Sequence, residues 1–420
     1  MQDQDRILST SELERAVQEV VAATPVSDIH THLYDARFGE LLAWGVDELL
    51  TYHYLIAEVM RAEFGRTSPE EFYAMSKKEQ ADLIWQRLYI DNSPISEACR
   101  GPITVLGALG LDVASRDLDE MRQYFADKTA EEYIDQVFEL ANVKEVVMTN
   151  DPFDELESPV WETDSAGDPR FKAALRLDEL VNHWEQTQPM LAARGYEVAK
   201  DFSGKTCDEI MRFLRDWREK LSPVYMAVSL PDDFAFPADN SQARVIQDAV
   251  LPFAAKEDLP FAMMIGVKRG INPRLQMAGD GIMGKADIKV LEYMCVNYDD
   301  VKFLVTMLSR ENQHELCAAA RKFPNLMPFG CWWFLNDPSL IDEITRMRIE
   351  LLGLSFVPQH SDARIVDQLV YKWAHFRNIL AKILVEKYGD AMRSGWIPSR
   401  AEIERDVVGL YSDNFWGFVS

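Results

Sequence analysis

Eight short runs rich in apolar and β-branched residues recur along the chain, at 26–30, 143–148, 171–177, 224–230, 260–267, 302–308, 326–331 and 354–357. Most are near-continuously apolar, the pattern of strands buried on both faces of a parallel sheet. Between them lie segments with a helical period, among them 177–194, 207–220, 313–322 and 339–352. Eight strands alternating with helices predict an α/β fold, a (β/α)8 barrel of the TIM type.

One connection breaks the rhythm. The first and second strands are separated by about a hundred residues, where a βα loop usually takes about 2–6. The stretch 33–142 carries helical patterns at 46–64, 69–88, 96–109 and 117–138. Both its ends attach at the C-terminal mouth of the barrel. The expected organisation is therefore a barrel built from 1–32 and 143–420, with a helical insertion at 33–142 over that mouth. A separate helical domain is the alternative. A helical tail, at 363–388 and 400–411, completes the chain.

Composition narrows the class. The 420 residues carry 47% hydrophobic and 27% charged side chains, ample for a large globular core. A net charge of −25 argues against nucleic acid or anionic membrane as a partner. No apolar run approaches bilayer length. Five cysteines, odd in number and without CxxC spacing, read as reduced thiols. The first nineteen residues are polar and acidic with no apolar signal core, so a soluble cytoplasmic protein is expected. Barrel enzymes often associate, and a homo-oligomer would fit, but no stretch marks an interface.

The candidate chemistry sits at the strand ends, where barrel enzymes build their sites. The first strand ends in Asp28-Ile29-His30-Thr31-His32. In extended backbone, side chains at i and i+2 emerge on one face, so His30 and His32 form half of a divalent-metal site. Asp362 follows the eighth strand, which neighbours the first in a closed barrel, and can complete a His-His-Asp set. It also suits the N-cap of a helix starting near Ala363. Arg or Lys stands at several strand ends: Arg176, Lys268-Arg269, Arg310 and Arg364. Arg forks bind carboxylates bidentately, which makes Arg176, Arg310 and Arg364 candidates for an anionic substrate.

The fourth, fifth and sixth strands end without His, Asp or Glu aimed at the mouth: Ser229, Met264-Ile265-Gly266 and Leu308-Ser309. One metal at most is expected. Within the insertion, Tyr52-His53-Tyr54 lies in an apolar helical run. It reads either as a packed aromatic face or as an acid/base pair, since imidazole and phenol both exchange protons. Trp332-Trp333 suits an apolar wall.

The pentad 28–32, Leu49-Leu-Thr-Tyr-His-Tyr54, Arg176-Leu-Asp178, Phe329-Gly-Cys-Trp-Trp333 and His360-Ser-Asp-Ala-Arg364 together resemble the amidohydrolase superfamily, and within it the uronate isomerases. The resemblance spans nearly the whole chain. It implies interconversion of D-glucuronate with D-fructuronate, and of D-galacturonate with D-tagaturonate, as an aldose-ketose proton transfer through an enediol. It also implies one divalent ion, zinc, on His30, His32 and Asp362. His53, Tyr54 and Arg364 would flank the reacting carbons, Arg176 would take the substrate carboxylate, and Asp362, the His53–Tyr54 pair or a metal-bound hydroxide would move the proton. One departure is that Met264 stands where many members carry a histidine on the fifth strand.

Two other readings remain at this point. A mononuclear metal-dependent hydrolase or decarboxylase could use the same barrel, although the bare strand ends leave little to position a water. A non-catalytic sugar-acid binding protein would keep the arginines and lose the ligands.

Overall fold

The computed structural model describes residues 6–163 and 167–420. Seven of the eight expected strands form. They are β1 (Val26–Thr31), β2 (Val143–Asn150), β3 (Phe171–Arg176), β4 (Met226–Pro231), β5 (Phe261–Lys268), β7 (Phe303–Met307) and β8 (Leu326–Pro328). They pair in parallel in the order β1-β2-β3-β4-β5-β7-β8. A two-residue strand, β6 (Ile282–Met283), was not expected; it returns antiparallel onto the end of β5.

The eighth run differs from expectation. Among its residues only Val357 makes a strand contact, a single parallel bridge to Phe329. The segment nevertheless closes the barrel. Val357 N–H donates to Pro328 C=O at 3.1 Å on one side, and Asp362 N–H donates to His30 C=O at 3.2 Å on the other. His32 N–H donates to Ala363 C=O at 2.7 Å. A regular ladder cannot continue here because Asp362 takes a left-handed backbone, φ 55°.

The barrel interior is filled by side chains such as Ile29, Ala227, Met264, Leu304 and Phe329. Its lower end is stoppered by the last helix, Asn414–Val419, whose Phe415 meets Tyr225 edge-on at 6.1 Å. Burying a phenylalanine in this way contributes about 1.5–3 kcal/mol.

The stretch between β1 and β2 folds into short helices. Ser68 with Glu71, Ser76 with Glu79 and Thr129 with Glu132 form reciprocal capping boxes at three of their starts. Each satisfies N–H groups that the first turn leaves without partners. Their apolar faces join one core with the long helix Gln368–Arg393. That helix was expected to begin at 363. It starts five residues later, and Asp362 is not its cap. No helix among the described residues is long and apolar enough to cross a membrane.

One break in the insertion matters for the site. The periodicity at 46–64 predicts one helix, whereas Val46–Leu50 and His53–Ala62 are separate. Tyr52 is extended between them, at φ −62° and ψ 138°.

Candidate active site

The structure brings His30, His32 and Asp362 together, with a ligand atom of each within 4.8 Å of the others. Nε2 of His32 is 3.4 Å from Asp362 Oδ1, and Nε2 of His30 is 3.9 Å from the same oxygen. The edge of a tetrahedron around an ion with bonds of about 2.0–2.1 Å is about 3.4 Å, so the spacing suits shared coordination. His30 Nε2 and Asp362 Oδ1 are buried and have no hydrogen-bond partner. Buried polar atoms are normally satisfied, and a cation would satisfy both of these. Among the described residues this is the one such group of three or more side chains.

Local structure fixes the ligands. The Tyr225 hydroxyl donates to Ile29 C=O at 2.7 Å and lies 3.2 Å from His30 Nδ1. Its proton is committed to the carbonyl, so its lone pair accepts from Nδ1–H. The imidazole then presents a bare Nε2. Burial drives the His30 pKa down to about 3, against the opposing charge of Asp362, and holds that of His32 well below its ordinary value. Both rings are neutral at pH 7, the form that ligates.

Asp28 ties β1 to the closing segment. It accepts from Ser361 N–H at 3.0 Å and from the Trp373 indole at 2.9 Å, and burial raises its pKa to about 6. The Asn336 side-chain amide donates to His360 C=O and Ser361 C=O, both at 3.1 Å. Gln368 accepts from the N–H of Arg364 and Ile365. These bonds hold Asp362 in its left-handed conformation, a backbone strain typical of functional positions.

His360 lies behind the metal group, wholly buried, with its ring 5.2 Å from that of His30. Gly330, at φ 61°, makes room for it: a Cβ there would stand 1.8 Å from His360 Nδ1.

A cavity of about 210 Å³ opens in front of the group. It is lined by His32 and Asp362, by Arg364, by Tyr52 and His53 of the insertion, and by Arg176 at the end of β3. Ser229, Met264, Trp332 and Trp333 complete the wall, together with Arg269, Met277 and Asp280 from the loop after β5. Arg176 is held by Asp178, with Nε at 3.1 Å and Nη2 at 3.3 Å from its two oxygens. That carboxylate raises the arginine's pKa further, so its charge is permanent. Burial lowers the His53 pKa to about 3, and the neighbouring Arg364 charge acts in the same direction.

Two expected residues lie elsewhere. Arg310 turns outward from the end of β7 and forms a forked pair with Glu343, its side chain 61% exposed. It does not reach the cavity. Tyr54 is also outside the lining; it stacks on Phe334, ring centroids 6.1 Å apart. Tyr52 faces the cavity instead, because the helix break turns it there. Tyr225, Arg269 and Asp280 were not among the expected site residues. Arg269 stood at a strand end, whereas nothing in the sequence pattern marks Tyr225 as a partner of His30.

A parallel barrel with two histidines on its first strand and an aspartate after its last, close enough to hold a metal ion, is the arrangement of a barrel enzyme with its site at the strand ends. A uronate isomerase from Bacillus halodurans is similar at 55% identity and a TM-score of 0.96, over 98% of this chain and 97% of that one. The chain belongs to the uronate isomerase family. A uronate isomerase from Thermotoga maritima matches at 16% identity and TM-score 0.78, covering 99% of this chain and 100% of the other. A glucuronate isomerase from Caulobacter crescentus matches at 14% and 0.76, covering 100% and 95%. At those identities the likeness is one of fold. No family model and no curated protein matches the chain.

Proposed function

We propose that this enzyme interconverts D-glucuronate with D-fructuronate, and D-galacturonate with D-tagaturonate. The observation that carries the reading is one small cavity in front of the His-His-Asp group, lined by its His32 and Asp362 beside Arg364, with Arg176 anchored at another strand end. A hexuronate has the same layout, with a reactive carbonyl at one end and a carboxylate at the other.

Moving the carbonyl from C1 to C2 requires removing the C2 proton and returning one to C1 through an enediol. Arg176 takes the carboxylate, using the guanidinium edge that Asp178 leaves free. Arg364 and His53 flank C1 and C2, where the guanidinium stabilises charge developing on the oxygens. Two carboxylates line the cavity, and Asp280 is already taken by Arg269 at 2.7 Å and by Gly270 N–H at 2.7 Å. In this scheme Asp362 is the proton carrier, receiving the C2 proton and delivering it to C1. Burial holds the Tyr52 phenol above its ordinary pKa, so it serves as a hydrogen-bond donor to substrate. Tyr54, behind it, supports the aromatic wall. His30, His32 and Asp362 would hold one divalent ion, zinc in this proposal, which would supply positive charge to the site.

The test is incubation of purified protein with D-glucuronate and with D-galacturonate, divalent metal supplied, and detection of the ketose. Ketose from either uronate supports the reading, and none from both removes it.

A further inference from the structure

Arg269 belongs to a loop that the barrel alone does not explain. β5 runs to Lys268, and β6 returns on it through the pairs Val267–Met283 and Lys268–Ile282. Residues 269–281 therefore form a closed hairpin loop above the mouth. Asp280 clamps its neck, accepting from Arg269 Nη1 and from Gly270 N–H, both at 2.7 Å. The loop is pinned to the insertion as well, since the Tyr73 hydroxyl donates to Leu275 C=O at 2.6 Å. It rests on the aromatic wall, where a Cβ at Gly281 would lie 2.1 Å from the Trp333 ring. The Arg269 guanidinium sits over that same ring at 5.4 Å and faces the cavity.

Its place around the barrel is informative. In the order β1-β2-β3-β4-β5-β7-β8, closed by the segment carrying Asp362, the fifth position lies across the barrel from the first. Arg269 thus faces the His30–His32–Asp362 group from the opposite side. A hexuronate placed with C1 and C2 at that group directs its C6 carboxylate toward β3 and β5. Two arginines wait there, and each has part of its fork committed to a neighbouring aspartate. A carboxylate has two oxygens and room for both.

We propose that Arg269 is a second carboxylate anchor and a specificity-determining residue, selecting acids over neutral sugars of the same shape. The inference rests on the isomerase reading given above and adds to it a residue of the loop after β5.

The experiment compares wild type, Arg269→Met, Arg269→Lys and Asp280→Asn on D-glucuronate and on D-glucuronamide, the uncharged amide of the same sugar. A lost charge-assisted hydrogen bond corresponds to about a 10- to 100-fold change. Arg269→Met should raise KM for D-glucuronate by that factor with kcat within about threefold, and Arg269→Lys should fall between it and wild type. Binding of the amide should change far less, so that the preference for acid over amide shrinks. Asp280→Asn, which loosens the loop but keeps the arginine, should cost much less than Arg269→Met. An unmoved KM in Arg269→Met overturns the inference. So do equal losses for acid and amide, or equal losses in Asp280→Asn and Arg269→Met, since each reports a structural role. Wild-type activity with an unmoved Arg269→Met removes this inference alone, whereas wild-type protein that makes no ketose removes both readings.

Discussion

Tyr225 orients His30: its hydroxyl donates to Ile29 C=O and accepts from His30 Nδ1 at 3.2 Å, turning Nε2 toward Asp362. Outer-shell partners of this kind typically carry about 10–100-fold in metal affinity. Tyr225→Phe should weaken binding of a divalent ion by that factor, measured by competition with a chelator. His32→Ala, which removes a ligand outright, should lose more. Unchanged affinity in Tyr225→Phe would show that the hydroxyl does not set the ligand.

Arg176 is pre-set by Asp178 rather than by substrate. The forked pair fixes the guanidinium before any acid arrives, which limits the entropy lost on binding. Arg176→Met should raise KM for D-glucuronate by about 10- to 100-fold. The effect on an uncharged aldose should be much smaller, and equal effects on both would remove the carboxylate role.

Arg310 supplies the contrasting case. It is exposed and paired with Glu343, and such pairs contribute about 0–1 kcal/mol. Arg310→Met should leave KM, kcat and thermal stability near wild type. A several-fold rise in KM would instead assign Arg310 a part in binding substrate.

Stability should fall as the solution is acidified. Burial lowers the pKa of His30, His53 and His360 to about 3, and that of His32 also falls well below its ordinary value. In the unfolded chain these groups take up protons near pH 6.5, so the unfolded state binds more protons below that pH. The stability they contribute is complete above about pH 6.5 and is lost as pH falls toward 3. Asp28 and Asp367 act in the opposite sense. Burial raises both to about 6, so they favour folding increasingly from pH 6 down to about 4. Burial also raises Asp35, Asp151 and Glu157 and lowers His375, but the histidine effect sets in near pH 6.5, above the range where the carboxyls act, and so dominates between pH 7 and 5. The melting temperature of metal-free protein should therefore drop between pH 7 and 5, and a flat or rising trend would contradict the burial of the histidines.

Much of the fold could be read from the apolar runs, because a strand buried on both faces leaves an unmistakable pattern. The HxH spacing likewise announced its geometry, since period-2 backbone places both rings on one side. The sequence pattern was silent where side-chain direction depends on tertiary contacts. Arg310 and Arg269 both follow strand ends, yet one turns out to Glu343 and the other in over Trp333. A two-residue strand such as β6 is too short to show as a run, so the loop that carries Arg269 inward was invisible. Tyr52 and Tyr54 exchanged places for a related reason. A continuous helix over 46–64 puts them on fixed faces, and the break at Thr51–Tyr52 reassigns those faces. The 354–357 run promised a strand, but the residues after it bend to place Asp362.

The central claim is that a carbonyl moves between C1 and C2 of a hexuronate in this cavity. It is tested most directly by following D-[1-13C]glucuronate by NMR in the presence of the metal-supplied protein. The account predicts that the labelled carbon changes from an aldehyde-derived anomeric carbon to a primary alcohol carbon, with no loss of label and no release of carbon dioxide. A label that stays at the anomeric position under all metal conditions, or carbon dioxide in place of a ketose, would contradict it.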